Sequence, residues 1–234
     1  MSKAIGKGNF FMANVVSFPI LFLASLFNMT SMHEAAIKHL TKADKVMARL
    51  IRKVGPCELT ARKRCSPFQA LVQSVAHQQL NGTAANTILG RVMALYPRRK
   101  FPTPHDVLAT PDEKLRGAGL SRAKVAAIKD IAAKTVEGVV PPARAIAKMA
   151  DAEILERLTS IRGVGPWTVE MLLIFRLGRL DVLPATDFGV RKGFALVFMR
   201  DELPKAAELL EYGERWRPYR SIASWYLWRG LDWE

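Results

Sequence analysis

The residues best placed to do chemistry are a tight glycine turn and an isolated acid. Ile161-Arg-Gly163-Val-Gly165-Pro-Trp167 joins the end of one apolar helical pattern to the start of another. Two glycines around one aliphatic residue let a chain reverse tightly and bring its main chain against another surface without a Cβ in the way. Pro166 suits the first turn of the next helix, whose free N–H groups and positive end suit a phosphate. By itself such a turn is also what an ordinary αα-hairpin contains. Further on, Asp181-Val-Leu-Pro-Ala-Thr-Asp187 sets a carboxylate at the mouth of another helix. There Asp187 can serve as a simple N-cap for Phe188-Gly-Val, or as a reacting acid, or as both.

The charge of the chain indicates what such a pair could meet. Lys and Arg number 35 against 21 Asp and Glu, a formal +14. A field of that sign attracts polyanions, and DNA or an anionic membrane surface would both answer to it. Two cysteines, Cys57 and Cys65, support neither a disulfide framework nor a four-thiolate cluster, and both are expected to be reduced thiols. The four histidines show no zinc spacing, so transition-metal chemistry is not expected.

The elements that must hold these residues are helical. Residues 1–31 stand apart: Lys3 and Lys7 precede an uncharged run from Phe10 to Phe27, interrupted by Pro19. This is either a leader or anchor, or upstream sequence outside the working domain with a start at Met29 or Met32. The run carries no acid, so most of the basic charge belongs to residues 32–234. From there Thr41 is a candidate cap for a helix carrying Val46, Leu50 and Ile51. Pro67 opens a helix with Phe68, Leu71, Val72 and Val75 on one face. Asn81-Gly82 breaks it, and short helices are expected after Thr103-Pro104 and Thr110-Pro111. Ser121 caps an amphipathic helix with Val125, Ile128, Ile131 and Thr135, and Asp151 caps one reaching Leu158. A helix from Pro166 to Leu177 is apolar nearly all round and should be buried. Helices over about 187–200, 204–213 and 218–228 complete an all-α reading with no convincing strand.

Leu158-x-x-Ile161-x-Gly-Val-Gly-Pro-Trp-Thr, then Asp181-Val-Leu-Pro-x-x-Asp187, then Arg217-Pro-Tyr-Arg-Ser, occur in an order that resembles the helix-hairpin-helix DNA glycosylase superfamily. The resemblance covers about residues 32–234 and is greatest to the 3-methyladenine DNA glycosylase II branch. It implies a two-lobed helical fold with a cleft, the lobes covering about 68–150 and 32–67 plus 151–234. It also implies hydrolysis of the N-glycosidic bond of alkylated bases, 3-methyladenine and by extension 7-methylguanine, in duplex DNA during base excision repair. Asp187 falls on the family's catalytic aspartate. Trp167 stands where strand-cutting relatives carry a lysine nucleophile, so the resemblance implies a monofunctional enzyme without lyase activity.

Trp228 and Trp167 match base-pocket positions, and this chain departs from the family's aromatic pattern at Met171. A π-face there would favour a cationic base over a neutral one. Gln79 and Leu80 match the wedge that fills the gap left by a flipped nucleotide. Gly163, Val164, Gly165 and Thr168 match the DNA-gripping hairpin. The main-chain carbonyls of Thr159, Ile161 and Val164 match positions that hold a Na or K ion in related hairpins. No other cofactor is implied. The expected partner is damaged double-stranded DNA, met by a monomer that is cytoplasmic and nucleoid-associated, with membrane association not expected. The competing readings are a non-catalytic helix-hairpin-helix DNA-binding protein and a glycosylase–lyase, the latter opposed by Trp167.

Overall fold

Apolar spacings of three and four residues translate into thirteen α-helices in the computed structural model, which describes residues 23–61, 65–78, 80 and 82–232. No strand occurs among the described residues, in keeping with the all-α expectation. No helix among them is long and apolar enough to cross a membrane. The part of the N-terminal apolar run before Leu23, the predicted wedge residue Gln79 and the helix-breaking Asn81 all lie outside the described residues. The chain divides into two units.

The first unit holds residues 65–169 of the described chain. It contains α3 (Pro67–His77), α4 (Gly82–Ala94), α5 (Pro104–Ala109), α6 (Asp112–Gly117), α7 (Arg122–Val136), α8 (Ala143–Ile146) and α9 (Asp151–Thr159), then the start of α10 (Pro166–Leu172). Ser66 caps α3 by accepting the Gln69 N–H, and Pro67 takes the first helical position, where no donor is needed. The predicted stripe Phe68, Leu71, Val72 and Val75 is buried. Around α7 pack α3, α5 and α6, with Val125, Ile128 and Ile131 turned inward. Three expected caps resolve differently. Thr103 forms a full capping box with Asp106, but the Thr110 hydroxyl donates to the Asp106 carbonyl and leaves Pro111 as the N-cap of α6, with no side-chain bond to it. Asp151 is the first residue inside α9, not its cap.

The hairpin residues 151–169 cluster with this unit, whereas the resemblance placed the boundary at 150. The reason is local bonding to α7 and α3. Asp130 on α7 accepts the Arg162 N–H at 2.7 Å. Gly163, at φ +76°, lies so close to α7 that a Cβ there would sit 2.6 Å from the Ala127 Cβ.

The second unit is discontinuous, built from residues 23–61 and 170–232 of the described chain. It holds α1 (Leu23–Ala43), α2 (Lys45–Val54), a π-helical turn over Leu173–Leu177, α11 (Phe188–Val197), α12 (Ala206–Gly213) and α13 (Arg220–Arg229). Thr41 lies within α1, and the cap of α2 is the buried Asp44. Its Oδ1 accepts the Val46 and Met47 N–H groups at 2.8 and 3.1 Å. Its Oδ2 accepts the Tyr212 hydroxyl at 3.0 Å and the Trp216 indole N–H at 3.1 Å. The Tyr226 hydroxyl donates to the Gly55 carbonyl, a second tie between the two stretches. Trp216, Phe194 and Tyr226 are fully buried, each burial worth roughly 1.5–3 kcal/mol. α13 packs on α11, α2 and α1.

Candidate active site

Within the second unit, the loop before α11 and the whole of α13 act as one frame. Asp181 accepts from Arg220 Nε at 2.7 Å and from Arg217 Nη1 at 2.6 Å. The Ser221 hydroxyl accepts the Val182 N–H at 2.9 Å and donates to the Arg179 carbonyl at 2.7 Å. The first acid of the Asp-Val-Leu-Pro-x-x-Asp pattern and the distant Arg-Pro-x-Arg-Ser pattern are therefore two halves of one lock. Their joint effect is to present Asp187 at the end of a fixed loop.

Asp187 caps α11 by accepting the Val190 N–H on Oδ1 at 2.8 Å. The same oxygen accepts the Trp228 Nε1–H at 2.8 Å. Capping and presentation are therefore both true of this residue. Two glycines on α11 allow the arrangement. A Cβ at Gly189 would lie 2.9 Å from Trp228 Cδ1, and one at Gly193 would lie 1.9 Å from the Leu227 carbonyl oxygen. α11 and α13 thus approach backbone to side chain, and the indole N–H reaches the carboxylate.

Trp228 is half-exposed and stacks with Phe175, ring centroids 5.6 Å apart and planes 30° apart. Phe175 belongs to the π-helical turn. It was not singled out from sequence, although an aromatic within an apolar helix next to the hairpin could have suggested it. Phe188, immediately after Asp187, is 57 % exposed despite its size. Met171 is buried, while Trp167 is half-exposed in the first turn of α10.

Glu170 is the most consequential residue that the sequence reading passed over. It is a lone charge in the apolar run Trp167–Phe175, and that isolation was the available signal. Its Oε2 is buried and has no hydrogen-bond partner. Burial first, and the negative charge of Asp187 second, push its carboxyl up to about 7.

In the first unit the hairpin is held by side chains from α3 and α7. Gln78 Nε2 donates to the Gly163 carbonyl at 3.0 Å and to the Thr168 hydroxyl at 3.1 Å. Lys124 Nζ donates to the Ala76 and Gln78 carbonyls, both at 2.8 Å, closing the C-terminus of α3. Thr168 is only 1 % exposed, so its hydroxyl serves the Gln78 bridge and not a DNA phosphate, contrary to expectation. A Cβ at Gly165 would meet nothing, which leaves its main chain open to a partner. Val164 is buried and anchors the turn, its N–H donating to the Ile161 carbonyl at 3.0 Å. The Thr159 hydroxyl bonds back to the Leu155 carbonyl. Leu80 is exposed at 36 %. Among the described residues no group of three or more His, Cys, Asp or Glu could hold a metal ion, and both cysteines are free thiols.

An all-helical chain with a glycine hairpin, an acid capping the helix beyond it and an indole tied to that acid has the parts of a helix-hairpin-helix repair protein. Residues 72–218 match the HhH-GPD superfamily of base excision DNA repair proteins, and the chain belongs to that family. It is 37 % identical over 201 residues to DNA-3-methyladenine glycosylase 1 of Schizosaccharomyces pombe, covering 86 % of this chain and 88 % of the relative. The solved structure of the 3-methyladenine DNA glycosylase from that yeast, in complex with abasic DNA, superposes with a TM-score of 0.77 at 37 % identity, over 83 % of this chain and 95 % of the other. A 3-methyladenine glycosidase from Bacillus halodurans gives 0.75 at 32 % identity, over 84 % and 89 %.

Proposed function

We propose that the protein is a monofunctional DNA glycosylase that hydrolyses the N-glycosidic bond of alkylated bases, 3-methyladenine foremost and 7-methylguanine by extension, in duplex DNA during base excision repair. The observation that carries this reading is the Asp187 carboxylate, held on one oxygen by the Val190 N–H and the Trp228 indole N–H in a chain of this family. Alkylation at N3 or N7 makes the base cationic, so the leaving group is already activated. The C1′–N bond breaks with its electron pair going to the base, and the sugar passes through an oxocarbenium-like state. Water oxygen then bonds to C1′ while its proton passes to Asp187. An anion–cation contact at 4 Å is worth about 1 kcal/mol in water and about 4 kcal/mol at an effective dielectric of 20, so the carboxylate gains by being shielded.

Trp167 supports the monofunctional assignment, since an indole has no amine with which to form a Schiff base. The assignment to the 3-methyladenine DNA glycosylase II branch rests on the same motif order. Trp228 supplies the π-face for the flipped base, and Trp167 and Met171 take the other base-pocket roles that the family motif gives them. Leu80, with Gln79, is the wedge. The main chain at Gly163, Val164 and Gly165 takes the DNA backbone. A Na or K ion on the Thr159, Ile161 and Val164 carbonyls fits the donor chemistry, each carbonyl having a second lone pair to offer. The protein works as a monomer on damaged chromosomal DNA, with a cytoplasmic, nucleoid-associated location.

The test is base release from methylated duplex DNA by wild type and Asp187→Asn. Release of 3-methyladenine by wild type, lost by at least a hundredfold in the variant, supports the reading. Absence of release by wild type leaves a DNA-binding module, and equal release by both removes Asp187 from the mechanism. Strand cleavage without added alkali would overturn the monofunctional assignment.

A further inference from the structure

Glu170 is a half-buried carboxyl, one oxygen of which, Oε2, is buried and has no hydrogen-bond partner among the described residues. The charged group that bears on it is Asp187 at the N-terminus of α11. The cations on the elements that follow include Arg176 on the π-helical turn, whose Nε is buried, Arg191, which donates to the Pro204 carbonyl, and Arg229, which lies over the Trp225 ring and against Glu58. On its own helix no other titratable residue occurs. Burial of Oε2 disfavours a charge on Glu170, and the negative charge of Asp187 disfavours it further unless a cation joins them.

We infer that Glu170 is a specificity-determining residue that senses the positive charge of the lesion, holding a proton in the empty site and releasing it to solvent when a cationic base takes its place beside Asp187. The inference rests on the reading of Asp187 as the catalytic carboxylate. With a neutral base, nothing offsets the second negative charge, so Glu170 stays protonated. With a cationic base, ionised Glu170 adds a second attraction, and the orphaned oxygen finds the partner that the free protein lacks. When the glycosidic bond breaks, the base departs neutral, and Glu170 recovers its proton from solvent. The stack of Trp228 and Phe175 can bind any aromatic ring, so a charge-selective element is what remains to be supplied.

The sign of the pH effect follows. Below about pH 7 the free protein must give up a proton to accept the cation, and above it none is lost. The experiment measures kcat/KM for 3-methyladenine release from methylated duplex DNA between pH 5.5 and 8.5. The wild-type value should fall by up to about tenfold per unit below neutrality. In Glu170→Gln that step should vanish, and the value at pH 8 should drop by about tenfold toward a flat profile. Glu170→Asp should restore a step, displaced along the pH axis. An unchanged step in Glu170→Gln would overturn the inference, because the ionisation would belong to another group. So would full loss of activity in Glu170→Asp with an intact thermal transition. Asp187→Asn, run alongside, separates the two claims: activity surviving there defeats the catalytic reading and leaves the pH step of Glu170 to be judged by itself.

Discussion

The indole N–H of Trp228 donates to the same oxygen of Asp187 that caps α11, at 2.8 Å in both bonds. The side chain proposed to stack on the base is therefore also the one that aims the acid. Trp228→Phe separates the two roles, since it keeps an aromatic face and removes the donor. Release of 3-methyladenine should fall by ten- to a hundredfold in kcat with a smaller change in KM, measured under saturating methylated DNA. A change confined to KM would mean that the hydrogen bond does not matter to the chemical step.

Glu170 also leaves a mark on stability. Its carboxyl sits near 7 when folded, against the ordinary value of 4.5, so the folded state binds the proton more tightly. This contribution is fully present below about pH 4.5 and is lost as pH rises through about 7. Glu170→Gln should therefore gain about 1–2 kcal/mol over wild type at pH 8, after discounting for residual solvent screening, and little at pH 4.5. Denaturant titrations at the two pH values check it.

The hairpin glycines should behave differently from each other. Gly163→Ala forces a Cβ against Ala127 at a positive φ and should cost about 1–3 kcal/mol of stability. Gly165→Ala meets empty space, so stability should hold within about 0.5 kcal/mol. If the DNA backbone lies against Gly165, binding should weaken by about tenfold with stability unchanged. Thermal melts paired with DNA titrations at one fixed salt concentration separate these outcomes.

Thr168→Val tests the internal assignment of that hydroxyl. Removing it strips an acceptor from Gln78 Nε2 and should cost about 1 kcal/mol. The salt dependence of DNA binding should keep its slope, since no phosphate contact is lost.

Asp44→Ala should be among the most damaging substitutions far from the proposed chemistry. It leaves the buried Trp216 indole N–H and the Tyr212 hydroxyl without their acceptor and uncaps α2. A loss of about 3 kcal/mol or more is expected by chemical denaturation, since each orphaned buried donor costs about 1–3 kcal/mol.

Much of this was legible in the chain, for identifiable reasons. Helix starts are local, so Pro67, Thr103-Pro104 and Ser121 declared themselves by residue type. Asp187 and the hairpin stood out because their chemistry is compact in sequence. What escaped was settled by partners far away along the chain. Asp44 looked like any acid beside Lys45, and its role depends on Tyr212 and Trp216. Thr168 looked like a phosphate ligand because nothing local shows that Gln78 claims its hydroxyl. Trp228 could be read as a ring, but its N–H bond required α11 and α13 to meet at Gly189 and Gly193.

The discontinuity of the second unit carries a consequence for how the protein comes into being. Residues 23–61 leave the ribosome long before the segment 170–232 that must clasp them, and residues 65–169 of the first unit are made in between. Asp44 waits for Tyr212 and Trp216, and Gly55 waits for Tyr226. The loop bearing Asp187 cannot be locked until Arg217, Arg220 and Ser221 have been added. A chain stopped short of α13 would carry the hairpin residues and a loop without its lock, so on the proposed reading of Asp187 base release must await the final helix.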